Sequence, residues 1–483
     1  MGDKYIIGVD NGSQSTKVMI FNMDGEPVVN VSEPLRPMMY RQPGYVEHPG
    51  DDLWDSVKSV LNKAMSEFKG DVSDIAGLGL CTIRCCRVFM KKDGTLADPV
   101  MSWMDTRAYE KFADRDDIAY TCPTTGYVTH RLTGELRDTA ANAFQWQFPI
   151  DMDTWQWSED DEFFNGYNIP RDKLLSLQMP GTILGYVTNE AAEATGVPAG
   201  IAVVATASDK AVEALGSGLT GPGTGLISLG TYIASMVHAS ENRPATAAYY
   251  TNFSCIPGEY LYESGGIRRG MSHITWLKEL LGEEYAEAAK RGGYSVEDFL
   301  ARDAAAIPPG SDGLITIPDW LAPADQLYRK GVMIGFRELH TKAHMFRSIL
   351  EGIAMTLKNH YDAMIAELGI KPEKIIVSGG GSNSDLFMQI IADMYGAPTV
   401  RNKVNGAAAL GAAICVAAAT GIYGSFREAV DRMVRKRDEF RPNMDSHRVY
   451  NSINEGIYKD LARLMAPALK RAYDTYTDTL DPD

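Results

Sequence analysis

The amino-acid sequence predicts a mixed α/β protein of two related lobes. Three observations carry this. Short β-rich apolar runs alternate with segments whose apolar residues keep three-four spacing, the pattern of α/β rather than of an all-β fold or a helix bundle. A strand-turn-strand device opens the chain, and a similar one returns at Gly225–Ser235. The length, 483 residues, suits two or three domains at roughly 150 residues each.

The first device is Tyr5-Ile6-Ile7-Gly8-Val9-Asp10, then Asn11-Gly12-Ser13-Gln14-Ser15-Thr16, then Lys17-Val18-Met19-Ile20-Phe21-Asn22. Two apolar runs around a Gly and hydroxyl turn read as a β-hairpin. A further turn at Asp24-Gly25, followed by Val28 and Val29, extends it into an antiparallel meander. Leu53, Trp54, Val57, Val60, Leu61 and Ala64 then keep helical spacing, with Asp51 and Asp52 where a helix N-terminus favours negative charge. Ile75 to Cys81 reads as the next strand.

At the middle of the chain, Gly225-Leu226-Ile227-Ser228-Leu229-Gly230-Thr231-Tyr232-Ile233-Ala234-Ser235 is again strand, Gly-Thr turn, strand. Either the two devices are a weak internal repeat or they are unrelated hairpins. As a repeat they divide the chain into lobes at residues 1–220 and 221–483. A long helix follows through Phe346, Ile349, Leu350, Ile353, Leu357, Tyr361, Met364 and Ile365, stopped by Gly369. Lys374–Val377, the loop Ser378–Ser384, and Leu386, Phe387, Ile390, Ile391 and Met394 then read as strand, Gly-rich loop and helix. An Ala-rich helix spans 406–419, and the tail after Asp474 reads as a frayed end.

Lys and Arg number 47 against 63 Asp and Glu, a formal net charge of −16. That balance speaks against nucleic acid as a partner, because phosphate backbones select clustered basic residues. No apolar run reaches the roughly 20 residues of a membrane helix, and Met1–Tyr5 enters a strand without signal-peptide features. Six Cys are too few for a disulfide framework. A cytoplasmic protein without membrane or nucleic-acid partners is therefore expected.

Three Gly and hydroxyl turns can offer backbone N–H groups to a phosphate: Gly12-Ser13 with Ser15-Thr16, Gly230-Thr231, and Gly379-Gly380-Gly381-Ser382. Each is also ordinary turn punctuation. None fits a dinucleotide fingerprint or a Gly-x-x-x-x-Gly-Lys phosphate loop. Asp10, at a strand end beside the first turn, either holds a magnesium ion directly or through water, or caps the turn. Asp209, after the apolar run Ile201–Ser208, is either a general base or a helix cap. In Cys81-Thr82-Ile83-Arg84-Cys85-Cys86-Arg87 the thiols lack zinc-site spacing and read as buried. Arg84 and Arg87 there can grip hydroxyls or anions, or form surface ion pairs. Trp103-Met104-Asp105-Thr106-Arg107-Ala108 joins an aromatic face to an acid and a base, a sugar-binding grouping or ordinary packing.

Taken in order, Gly8–Lys17, Trp103–Ala108, Leu132-Thr133-Gly134-Glu135, Ser208-Asp209-Lys210, Ser228–Thr231 and Gly379–Ser384 resemble the FGGY family of carbohydrate kinases over nearly the whole chain. The resemblance implies the two-lobed actin-like and Hsp70-like ATPase fold of duplicated ribonuclease H-like domains, with ATP and a sugar or polyol in the cleft. It implies Asp209 as base and Asp10 as organiser of Mg²⁺ through water. It places Gly12, Ser13, Ser15, Lys17, Gly230, Thr231, Gly270, Gly380, Gly381 and Ser384 on the nucleotide. Arg84, Trp103, Asp105, Arg107, Asp209 and Lys210 fall on the substrate side. A homodimer follows family habit. Two departures touch the acceptor side: residues 109–131 form a shorter segment than is usual, and Lys210 stands where many relatives have Gln. They predict a more open or altered sugar pocket, and they motivate an alternative reading as a catalytically impaired, nucleotide-binding regulator.

Overall fold

Alternation in the first strand decides where the core sits. In β1 (Tyr5–Asn11) Ile6 points to one side of the sheet and Ile7 and Val9 to the other, as successive side chains of a strand must. Ile7 and Val9 join a core closed from outside by α1 (Asp52–Glu67), whereas Ile6 joins a larger core continuous with the second half of the chain. The computed structural model describes residues 4–230, 232–322 and 326–480.

β1 pairs antiparallel with β2 (Ser15–Phe21), which pairs antiparallel with β3 (Pro27–Pro34). On its other edge β1 runs parallel to β4 (Ile75–Thr82). With β5 (Ile183–Tyr186) and β6 (Ala202–Val204) the order is β5-β6-β4-β1-β2-β3. α2 (Asp209–Ser217) follows directly.

The second sheet begins at β7 (Thr224–Leu229), antiparallel to β8 (Tyr232–Ala239); β9 (Tyr249–Phe253) and β10 (Tyr260–Ser264) extend that edge. α3 (Lys342–Leu368) precedes β11 (Lys374–Ser378), and α4 (Asp385–Tyr395) connects it to β12 (Thr399–Asn402). After α5 (Ala407–Ala419) comes β13 (Lys436–Phe440). The order is β9-β10-β8-β7-β11-β12-β13, with Ile267–Arg268 also pairing β8.

The two sheets repeat one plan. β1, β2 and β3 correspond to β7, β8 and β10 as an antiparallel meander; β4 and β6 correspond to β11 and β12 as parallel strands; β5 and β13 each close the far edge antiparallel. All first-sheet strands end by Val204 and all second-sheet strands start at Thr224 or later.

The halves are held together by an exchange of helices. α5 lies on β1 and β4 of the first sheet and packs on α2, while α2 reaches β11 of the second. The crossing is backbone on backbone. A Cβ on Gly411 would lie 1.9 Å from the Val212 carbonyl oxygen, and one on Gly216 would lie 1.9 Å from that of Ala407.

The tail differs from expectation. A helix at Lys459–Leu480 runs through Asp474, and Lys470 pairs with Asp474 one turn on. No helix among the described residues is long and apolar enough to cross a membrane.

One buried acid gives a stability prediction. Asp138 is 1% exposed and accepts a hydrogen bond from the Thr139 N–H. Burial raises its pKa from the ordinary 3.8 to about 7. Between those values the unfolded chain has released a proton that the folded chain retains, so this group lowers stability as pH rises through that window. Asp138→Asn is expected to raise the melting temperature at about pH 8 but not at about pH 4. An equal shift at both contradicts the assignment.

Candidate active site

The first hairpin ends in the cleft between the sheets. Gly12 N–H bonds back to the Ser15 carbonyl at 3.1 Å, closing the turn. Behind it, Asn11 Nδ2 donates to Thr16 Oγ1 at 2.6 Å, and that hydroxyl meets Ser56 Oγ at 2.7 Å. These buried bonds hold the Gly12–Ser15 turn from below. The second hairpin presents Gly230 to the same cleft; Thr231 lies outside the described residues.

The third turn comes from β11. Gly379 has φ +86°, and a Cβ there would lie 2.6 Å from the Leu229 carbonyl oxygen, so only glycine lets this loop sit against the end of β7. Gly380 has open space where a side chain would be.

These turns and the acidic groups between them line a cavity of about 480 Å³. Asp10, Gly12, Ser13, Ser15, Lys17 and Gly380 lie along it, and Arg84, Trp103, Asp209, Lys210 and Gly230 also line it. Asp10 has its pKa raised from 3.8 to about 6, first by burial and then by the like charge of Asp209, with Lys17 acting against both. Crowded carboxylates of this kind fit a divalent cation. Among the described residues no three His, Cys, Asp or Glu side chains are grouped to hold a metal unaided.

Asp209 is the first residue of α2, which Ser208 caps by accepting from the Ala211 N–H at 3.4 Å. Its carboxylate takes the Lys210 N–H at 2.8 Å, and its side chain stays 30% exposed, enough for a small acceptor to reach it. Burial raises its pKa, opposed by Arg84 and Lys210. Arg84 Nε is 3.9 Å from it.

Arg84 spans the cleft. Both its terminal nitrogens bond the two oxygens of Glu263 on β10, each at 2.7 Å, and one also lies 3.4 Å from the Tyr250 hydroxyl. Glu263 is wholly buried and takes a further bond from Asn252 at 2.8 Å. Burial pushes its pKa up, but Arg84, with Tyr250 and Lys210, leaves it lowered. Beside this pair, Lys210 Nζ bonds Glu213 at 3.0 Å and also the Ser228 hydroxyl, which itself donates to Glu213 at 2.7 Å. Cys85, next to Arg84, is held at φ +61°, backbone strain of a kind that clusters at functional sites.

The far end of the cavity is aromatic: Trp103, Tyr109, Trp146, Tyr232 and Tyr250. Trp146 is 42% exposed, stacked on Phe144 with centroids 5.0 Å apart and edge-on to Tyr250 at 5.8 Å. Beside the short 109–131 segment, expected to leave a more open or altered pocket, Trp146 and Tyr250 line this end of the cavity.

Some expected residues lie elsewhere. Asp105 is fully buried, accepts from the N–H groups of Val46 and Arg107 at 2.8 and 2.9 Å, and does not line the cavity. Arg107 forks between Asp105 and Glu47 and lies 3.9 Å over the Tyr45 ring. The pair therefore braces the segment carrying Trp103. Arg87 is tied to the carbonyls of Glu110 and Gln147. Gly270 is buried against Ile233, and Gly381 against Leu229 and Met271. Ser384 caps α4 and faces a separate depression beside Arg302 and Gln389.

Glu213, Glu263, Trp146, Tyr232 and Tyr250 were not read from the sequence. A signal existed for one: Glu263 interrupts the apolar run Tyr260–Tyr262, and a carboxylate in such a strand needs a partner.

Comparison with known proteins agrees with this layout. Residues 5–114 and 115–216 match the N-terminal domain, and residues 225–420 the C-terminal domain, of the FGGY family of carbohydrate kinases. The chain is 46% identical over 475 residues to the "Uncharacterized sugar kinase YgcE" of Escherichia coli (strain K12), covering 98% of this chain and 96% of that one. Among solved structures, the xylulose kinase from Rhodospirillum rubrum has a TM-score of 0.80 at 24% identity, over 97% of this chain and 100% of its own. The gluconate kinase from Lactobacillus acidophilus has a TM-score of 0.80 at 20% identity, over the same shares.

Proposed function

This chain belongs to the FGGY family of carbohydrate kinases, ATP-dependent phosphotransferases, and from that premise we propose that it phosphorylates a hydroxyl of a ketose or polyol with Asp209 as general base. The observation that carries this is the position of Asp209: a cleft carboxylate with a raised pKa, between the phosphate-type turns and the aromatic end. A base there takes the acceptor's proton as the hydroxyl oxygen attacks the γ-phosphorus and the bond to the ADP oxygen breaks.

Gly12, Ser13, Ser15 and Lys17 from the first hairpin, and Gly230 with Gly380 from the second lobe, are the groups that would embrace the phosphates. Backbone N–H groups serve there because they stabilise developing charge without reorganising. Asp10 would hold Mg²⁺, which when bound neutralises phosphate charge and orients the γ-phosphoryl group. Lys210, held by Glu213 and Ser228, stands beside Gly230 as a fixed positive charge. Trp146 would stack on the C–H face of the acceptor.

The test is ADP release by purified protein with MgATP across ketopentoses, ketohexoses, tetritols, pentitols and glycerol. One acceptor well above the others supports the reading; ADP release indifferent to every acceptor opposes it. Trp146→Ala is expected to raise the acceptor KM by about tenfold, the loss of about 1.4 kcal/mol of contact, with KM for ATP unchanged. Equal changes in both constants contradict the stacking role.

Xylulose kinase and gluconate kinase share this fold, one named for a neutral ketose and one for a sugar acid. The fold therefore does not set the acceptor's charge; the pocket side chains must.

A further inference from the structure

We propose that the acceptor is an uncharged polyol or sugar rather than a sugar acid, and that Glu263 is the positioning residue that sets this preference by closing Arg84 into a neutral pair. The inference deepens the kinase reading above and rests on it.

The charges around the acceptor end can be followed one by one. Arg84 is the cation best placed to meet a carboxylate, since its planar fork matches two carboxylate oxygens. That fork is already taken. Its terminal nitrogens each bond an oxygen of Glu263 at 2.7 Å. Glu263 is wholly buried and anchored a third time by Asn252, so it does not swing aside to release the arginine. Lys210 is likewise spent on Glu213 and Ser228.

With Arg84 taken by Glu263 and Lys210 by Glu213, the carboxylate at the reacting end is Asp209, 3.9 Å from Arg84 Nε. An incoming carboxylate would meet a carboxylate at the reacting end and, among the described residues that line the cavity, no open arginine fork. A neutral acceptor meets no such opposition. The aromatic faces of Trp103, Trp146 and Tyr250 suit C–H surfaces, and hydroxyl groups can share the Tyr250 oxygen.

The pair also joins strands of different sheets, since Arg84 follows β4 and Glu263 lies in β10. Removing the Glu263 charge would free the two terminal nitrogens of Arg84 while Asp209 stays 3.9 Å from its Nε, opening a fork for a carboxylate. Specificity of this kind comes from an element that opposes the wrong ligand as much as from one that welcomes the right one.

The test is calorimetric affinity in the presence of ADP for matched pairs: a pentitol against the pentonate of the same configuration, and a hexitol against its hexonate. The unsubstituted protein is expected to bind the neutral member at least about tenfold more tightly. Glu263→Gln is expected to cut that ratio by about tenfold or more through tighter binding of the acid, and Glu263→Asp, which keeps the charge, to retain the original preference. The proposal is overturned if the unsubstituted protein binds the acid as tightly as the neutral member, or binds neither. It is also overturned if Glu263→Gln weakens both members equally, which is what a merely structural role would give. The arm on the unsubstituted protein decides the substrate class even if Glu263→Gln does not fold.

ADP release from the same pairs separates this proposal from the kinase reading. Phosphorylation of the acids by the unsubstituted protein would keep the kinase and refute the neutral preference. Selective binding of neutral acceptors without ADP formation would keep the preference and refute transfer.

Discussion

Asp209→Asn is expected to lower kcat by roughly 10²- to 10⁴-fold, the usual contribution of a positioned general base, while nucleotide still binds. Asparagine keeps the shape and an oxygen for the Lys210 N–H, and Ser208 still caps α2. Only the proton acceptor is lost. The substitution also removes the like charge that helps raise Asp10, so affinity for MgATP is expected to stay within a few-fold or to improve. Steady-state turnover at saturating acceptor, with nucleotide affinity by calorimetry, makes the separation. Retention of more than about a tenth of the original turnover would exclude a base at this position.

Gly411→Ala is expected to cost about 3 kcal/mol or more in unfolding free energy, at the upper end of overpacking. The added carbon would lie 1.9 Å from the Val212 carbonyl and 3.0 Å from the Gly216 amide. Both neighbours are backbone, so no rotamer relieves the clash, and α2 and α5 must separate. α5 lies on the strand that carries Asp10, and α2 begins with Asp209. The substitution should therefore damage the cleft as well as stability. Gly221, which has open space around it, provides the control, and Gly221→Ala should shift stability by less than about 0.5 kcal/mol. Urea unfolding of the three proteins tests this. A Gly411→Ala variant as stable as the control would contradict the close crossing.

The sequence was most legible where structure is local. The hairpins announced themselves because alternation and Gly-rich turns sit within a few residues of each other, and Asp10, Arg84 and Asp209 because each follows an apolar run. The parallel between the two sheets was only hinted at by the hairpins. It rests on strand pairings between distant segments, such as β7 with β11. Glu263 was missed for the same reason, since its partner Arg84 lies 179 residues away across the cleft. Asp105 and Arg107 were placed on the substrate side by the family resemblance, the residues alone leaving ordinary packing open; their third partner, Glu47, comes from a separate hairpin and turns the group inward on itself. The tail after Asp474 was read as frayed because Thr475, Thr477, Asp478 and Thr479 leave it few apolar residues, yet the helix continues to Leu480, and residues 481–483 lie outside the described ones.

Transfer of a phosphoryl group to a carbohydrate hydroxyl rather than to water leaves a distinct product. Phosphorus NMR of the purified protein with MgATP and the best acceptor of the panel tests it most directly. A phosphate monoester is expected to accumulate in step with ADP and to be absent with Asp209→Asn. ADP matched by inorganic phosphate, with no monoester, would contradict it.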